Sequence, residues 1–251
     1  DFDLIIGIHS IICALKNKNR KIDRIVGTED GIAEIKKQVD LRNFEVEMYA
    51  SHKVQEEAKA YFRDKDLEYQ RVPSGVFLIC SELQTTSIID FYAAAEKKSG
   101  LKILCLDQVS DVHNAAAILR TACFYGVDYV VIPDKKSFGL TPSFFRIASG
   151  AAEFVPLVQV QKLTKTIAKL KDLGVNCVAL SEHAKGDLDV EKISKSSESH
   201  CLVLGKEDVG ISNAVLRLID NHISLKSQGE IKSLNVSIAA AVVLEKCFSS
   251  K

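Results

Sequence analysis

The chain predicts an α/β protein: a small N-terminal α/β unit followed by a larger one built on a parallel sheet with helices on both faces. Three observations carry this. From Leu101 onward, apolar runs of strand length alternate with segments of helical spacing, the pattern of strand–helix–strand crossovers. Up to about residue 81 a shorter set of elements looks complete in itself, and Pro73 and Gly75 punctuate the approach to its last strand. At 251 residues and 47% hydrophobic, the chain has room for two cores.

In the first unit (1–81), Ile11, Ile12 and Leu15 follow helical spacing. Ile22 to Val26 reads as a strand, Ile32 to Val39 as a helix, Phe44 to Met48 as a strand, Val54 to Phe62 as a helix and Val76 to Cys80 as a closing strand. The stretch 82–100 reads as a linker carrying a short helix. The second unit (101–251) begins with strand Ile103 to Leu106, helix Asn114 to Tyr125 closed by Gly126, strand Tyr129 to Ile132 and helix Pro142 to Ala148. Helix Leu163 to Leu173 closed by Gly174, strand Asn176 to Leu180, strand Cys201 to Leu204 and helix Asn213 to Ile219 follow. Strand His222 to Leu225 and helix Leu234 to Phe248 complete it. Both glycines suit the left-handed position after a helix end and equally suit a plain loop.

Lys and Arg balance Asp and Glu at 33 each, so no net field draws the protein onto a polyanion, and a nucleic-acid partner needs a local basic patch. The clearest candidate is Lys16, Lys18, Arg20, Lys21 and Arg24, opposed only by Asp23, which reads as a phosphate-neutralising surface or as a solvated loop. Lys135, Lys136 and Arg146 form a weaker set. The seven cysteines are scattered without a C-x-x-C pair, as expected of free thiols in a reducing compartment, and the six histidines lack ligand spacing, so no metal is expected. The uncharged stretch Ser233 to Leu244 falls well short of the ~20 residues that span a bilayer. The chain starts at Asp1 without a methionine, no signal peptide is in view, and a cytoplasmic protein without membrane contact is expected. There is no G-x-G pair and no P-loop, so pyrophosphate cradles of the usual kind are excluded, and an NAD-dependent oxidoreductase would rest on fold class alone.

Three polar signatures leave the ends of apolar runs or open helices, where open parallel sheets bind ligands. They are Asp111-Val112-His113-Asn114-Ala115-Ala116-Ala117-Ile118-Leu119-Arg120-Thr121-Ala122, Leu202-Val203-Leu204-Gly205-Lys206-Glu207-Asp208-Val209-Gly210, and Ser233-Leu234-Asn235-Val236-Ser237. Together they resemble the three motifs of the SpoU/TrmH family of SPOUT methyltransferases, a likeness covering essentially all of residues 101–251. Gly7-Ile8-His9 and Ala148-Ser149-Gly150-Ala151-Ala152-Glu153 are further points of similarity, and residues 1–81 resemble the ribosomal-protein-like RNA-binding domain of many members.

The resemblance implies a trefoil-knotted C-terminal domain, S-adenosylmethionine as cofactor, a homodimer, and methyl transfer to a ribose 2′-hydroxyl of structured RNA. Ribosomal RNA, as a guanosine in the 23S molecule, is the preferred substrate and tRNA the alternative. It marks Asn114, Arg120, Glu207, Ser233 and Asn235 as catalytic, and Gly205, Ile223, Leu225 and Leu234 as the stretch against which the cofactor lies. Arg120 of one subunit is expected to serve the pocket of the other. Arginine stays protonated in proteins, so its role is phosphate clamping and stabilisation of a developing alkoxide rather than that of a base. Glu207 also reads as a solvated loop carboxylate and Ser233 as the N-cap of the last helix. The chain departs from the family at Val112, usually Pro, at Ala115-Ala116, usually Leu-Gly, and at Ile223-Ser224-Leu225, usually Ile-Pro-Met, and its run Lys226 to Lys232 is longer. These departures motivate a competing expectation, an RNA-binding module with weakened cofactor binding.

Overall fold

The computed structural model of the protein describes residues 2–181, 190–206 and 208–249. In chain order the first elements are β1 (Asp3–Ile6), α1 (Ile8–Lys16), β2 (Ile22–Gly27), α2 (Glu29–Lys36), β3 (Val46–Met48), α3 (Ser51–Asp64) and β4 (Val76–Cys80). Next come α4 (Ile88–Lys97), β5 (Lys102–Asp107), α5 (Val112–Phe124), β6 (Tyr129–Pro133), α6 (Pro142–Ala148) and β7 (Leu157–Val160). The last are α7 (Leu163–Asp172), β8 (Asn176–Leu180), α8 (Val190–Ser194), β9 (His200–Gly205), α9 (Asn213–Leu216), β10 (Asn221–Ile223) and α10 (Val236–Phe248).

These elements form two compact units. One holds the residues up to Gln84 together with Gly139–Phe154; the other holds Thr85–Phe138 and the residues from Val155 on. The excursion carrying α6 thus belongs to the N-terminal unit, although it lies between two strands of the C-terminal sheet. The stretch that reads as a linker contains α4, whose Phe91 and Ala95 are buried in the C-terminal core with Val131, Val158 and Ile167.

The N-terminal sheet has the order β1-β4-β2-β3, with β4 antiparallel to both neighbours and β3 parallel to β2. Leu4, Ile6, Phe77 and Ile79 share one core with Val54 and Phe62 of α3, a helix spacing that buries one apolar stripe. The α1–β2 turn is held by Arg20. Its side chain is 1% exposed, with Nη1 2.6 Å from Asp3 Oδ2 and Nη2 2.8 Å from Glu153 Oε1. Nη1 also donates to the Ser81 carbonyl at 2.6 Å, and the guanidinium lies 5.5 Å from the Phe145 ring centroid. Asn17 Nδ2 donates to the same Glu153 carboxylate at 2.7 Å. Desolvation works against the Arg20 charge, but its hydrogen bonds to Glu153 and Asp3 outweigh it and raise the guanidinium pKa. Burial pushes the Asp3 carboxyl up against the pull of Arg20. Arg20 therefore leaves the RNA-facing cluster that the sequence suggests: every face of its guanidinium is spent inside the unit, and no phosphate reaches it.

The C-terminal sheet is wholly parallel, in the order β10-β8-β9-β5-β6-β7. Helix boundaries follow local chemistry. Asp111 caps α5 by accepting from Asn114 N at 2.7 Å. Gly126 (φ +66°) and Gly174 (φ +81°) close α5 and α7. In each, the glycine N–H and the next N–H return to carbonyls of the last turn: Gly126 to Cys123 and Val127 to Ala122, Gly174 to Lys171 and Val175 to Leu170. This is the paired bonding of a Schellman end, and the sequence expectation for both glycines holds.

Candidate active site

All six strands of the C-terminal sheet point the same way, so their carboxyl ends share one edge. Register aligns Asp107 of β5 with Gly205 of β9, and Ile223 of β10 with Leu180 of β8. Beyond Gly205 the chain turns back at once: Lys206 N donates to the Gly210 carbonyl at 3.1 Å and Gly210 N to the Lys206 carbonyl at 2.7 Å. A Cβ on Gly205 would stand 2.1 Å from the Gly210 carbonyl carbon and 2.2 Å from Ile211 N. Only glycine admits this closure, which gives the second signature a steric reason. Glu207 lies outside the described residues.

Asp107, 5% exposed, ends β5 and accepts from Ser212 N at 2.7 Å, tying β5 to the segment that enters α9. Gln108 follows with φ +63°, a left-handed conformation that costs a non-glycine residue energy and marks a constrained turn. Four residues on, α5 opens at its Asp111 cap and presents Asn114.

The third signature meets the first here. Asn235 is the N-cap of α10: its Oδ1 accepts from Ser237 N at 2.9 Å and from Ser237 Oγ at 2.6 Å. Its Nδ2 is therefore the outward group, and it donates to Asn114 Oδ1 at 3.0 Å. The N-terminal ends of two helices, each with partial positive charge, thus converge at the carboxyl edge with two amides between them. Such a site orients and polarises a hydroxyl or carboxylate without metal or covalent chemistry.

The cap of the last helix is Asn235 and not Ser233, which the sequence alternative proposed; Ser233 is exposed two residues upstream. Leu234 is 50% exposed beside it. The Ile223 side chain is buried and its carbonyl accepts from Ser181 N at 3.0 Å, while Leu225 is half-buried. Arg120 is exposed on α5 and, at ~100° of helical turn per residue, faces about 120° away from Asn114. The structure does not bring it to the Asn114–Asn235 pair. Of the N-terminal basic cluster, Lys16, Lys18 and Lys21 are exposed, whereas Arg24 is engaged by Asp23 and Glu47, each at 3.1 Å. Asp107 and Gln108 escape sequence reasoning; the only signal was an acidic residue directly ending the run Ile103 to Leu106. Among the described residues no cluster of metal-ligand type occurs, and no helix is long and apolar enough to cross a membrane.

The C-terminal unit is thus an α/β fold whose parallel sheet gathers the capped N-termini of α5 and α10 at its carboxyl edge. Residues 102–245 match the SpoU rRNA Methylase family. A TrmH-family tRNA/rRNA methyltransferase of Staphylococcus aureus is 35% identical over 178 residues, 70% of this chain and 71% of that one. The 23S rRNA (guanosine-2′-O-)-methyltransferase RlmB of Nitrosomonas europaea is 36% identical over 146 residues, 58% of this chain and 55% of that one. Among solved structures, the SpoU methyltransferase AviRb of Streptomyces viridochromogenes, in complex with AdoMet, superposes with a TM-score of 0.77 over 98% of this chain and 89% of that one, at 16% identity. The chain belongs to the SpoU/TrmH family of RNA methyltransferases.

Proposed function

We propose that the protein transfers a methyl group from S-adenosylmethionine to a ribose 2′-hydroxyl of RNA, with a guanosine of 23S ribosomal RNA as the preferred target and tRNA as the alternative. The observation that carries this reading is the 3.0 Å hydrogen bond from Asn235 to Asn114, which joins the first and third signatures. The residues fit the cofactor. S-adenosylmethionine carries no phosphate, in keeping with a site that lacks a glycine phosphate cradle. Val209 and Leu234, 65% and 50% exposed, offer apolar surface in the loops of this edge. When bound, the cofactor supplies an electrophilic methyl group on a sulfonium.

The chain's own residues do the rest. Asn114 and Asn235 hold hydrogen-bonding groups in fixed directions, so that a ribose hydroxyl docked there loses little further freedom before reaction. Arg120, permanently charged, clamps an RNA phosphate or steadies the developing oxyanion. Because it faces away from Asn114, it serves the site of a second copy. That copy has a surface to cover: Ile238 of α10 is 54% exposed, Phe124 of α5 is 81% exposed, and Ala241 and Val242 continue the α10 stripe half-buried. A helix apolar on most sides belongs inside an interface.

Incubation with methyl-labelled S-adenosylmethionine and unmodified ribosomal and transfer RNA, followed by mapping of 2′-O-methyl sites, tests the reaction. One labelled guanosine in 23S RNA is the expected result. Label on tRNA alone would move the substrate, and no label on any RNA would leave an RNA-binding module. Arg120→Ala is expected to abolish most turnover while cofactor affinity by calorimetry stays near that of the unaltered protein; normal turnover would remove Arg120 from the mechanism.

A further inference from the structure

A cluster of lysines in the C-terminal unit starts at the carboxyl ends of β6 and β7. Lys162 precedes α7, and Lys165 and Lys169 follow on the same helix at offsets of three and seven residues, which keeps the three within one ~60° arc. Lys135 and Lys136 leave the end of β6. Strand register brings the two sets together: Pro133 pairs with Val160, and Asp134 N donates to the Val160 carbonyl at 3.0 Å. Lys135 and Lys162 thus stand two residues beyond paired positions on strands about 5 Å apart. All five lysines are exposed, none has an ion-pair partner among the described residues, and the carboxylates of these two segments are Asp134 and, at the far end of α7, Asp172.

Two further observations single out the β6 end. Lys136 is held at φ +57°, a left-handed conformation disfavoured for a non-glycine residue. Beside it, the buried Ser137 hydroxyl has no hydrogen-bond partner among the described residues, a rare condition in native proteins. The first turn of α7 also lacks a side-chain cap, which leaves backbone N–H groups open to an anion. Because β6 is the parallel neighbour of β5, this patch lies on the same sheet edge as Asn114 and Asn235.

We propose that Lys135, Lys136, Lys162, Lys165 and Lys169 form the surface over which the RNA phosphate backbone runs as it leaves the methylation site. This rests on the RNA reading above and assigns its main electrostatic footprint to the C-terminal unit, not to Lys16, Lys18 and Lys21. Along α7 the three lysines span about 10 Å at 1.5 Å per residue, the length of a short phosphodiester stretch.

The test uses the full chain and unmodified 23S ribosomal RNA transcript, with affinity measured across a salt series. K162Q/K165Q/K169Q is expected to lower the slope of log K against log salt by about 2 to 3, at ~0.7 to 0.9 per phosphate contact. The loss of transfer falls on KM for RNA more than on kcat, and K162R/K165R/K169R restores both. K135Q/K136Q lowers the slope by a smaller amount, and K16Q/K18Q/K21Q by less than the α7 triple. Unchanged slope and KM in the α7 triple, with the unaltered protein binding RNA normally, would overturn this surface and leave the RNA reading standing. Failure of the unaltered protein to show salt-dependent binding of any RNA would overturn both.

Discussion

At the scale of single residues, Asn235 has two separable functions. Its Oδ1 caps α10 and its Nδ2 reaches Asn114. Asn235→Asp keeps an oxygen acceptor, among the best N-cap groups, and removes the donor. Its thermal midpoint is expected to stay near that of the unaltered protein while methyl transfer falls, whereas Asn235→Ala loses about 1 kcal/mol as well. Equal stability loss in both variants would reduce Asn235 to a cap. Gly205→Ala puts a methyl group 2.1 Å from the Gly210 carbonyl carbon. The bridge between Lys206 and Gly210 must open, at a cost of about 1–3 kcal/mol for overpacking, and S-adenosylmethionine titration is expected to show weakened binding; unchanged affinity would detach this loop from the cofactor. Arg20→Ala leaves Asp3 and Glu153 buried with their cation gone, a loss of about 3–5 kcal/mol for a broken buried pair. A melt of that variant matching the unaltered protein would return Arg20 to the surface cluster.

At the scale of elements, buried cysteines on three strands and on the last helix carry a pH dependence. Burial pushes the thiols of Cys80 on β4 and Cys247 on α10 up to about 12. A hydrogen bond to Cys201 and then burial raise Cys177 on β8, and Cys201 on β9 is raised as well. For each, the folded state keeps its proton while the unfolded chain gives it up from about pH 8.5. Stability is therefore complete below that pH and declines as pH rises towards 12. Denaturant melts from pH 8 to 11 check this, and a flat profile would mean that these thiols ionise alike in both states. The element level is also where sequence spoke most clearly. Asp111, Gly126 and Gly174 act through bonds within a few residues, so their effect is legible locally. β1 and β7 were missed because four apolar-rich residues show no period long enough to separate strand from helix.

At the scale of the whole molecule, the informative contacts are distant in sequence. Asn114 and Asn235 are 121 positions apart, and Arg20 and Glu153 are 133 apart. The motif resemblance brought the first pair under suspicion; nothing local could reveal the second, because a buried arginine and an exposed one look alike in a basic run. The knot that the resemblance implies is likewise a property of the threading of the whole chain and leaves no periodic trace. The Arg20 pairing does have a consequence for how the protein folds. The N-terminal unit draws Gly139–Phe154 from beyond β6, and that segment supplies Glu153, the Phe145 ring over Arg20 and the Phe145 carbonyl that accepts from Ser10 Oγ at 2.6 Å. A fragment ending at Gln84 keeps the whole four-stranded sheet but leaves Arg20 without the Glu153 carboxylate and uncovers the surface that α6 occupies. It is expected to give no cooperative thermal transition by circular dichroism, while the same fragment extended through a flexible linker into residues 139–154 regains one. On that outcome the N-terminal unit completes its fold only once the chain has passed β6. A sharp, reversible melt of the fragment ending at Gln84 would instead make α6 an accessory and the N-terminal unit autonomous.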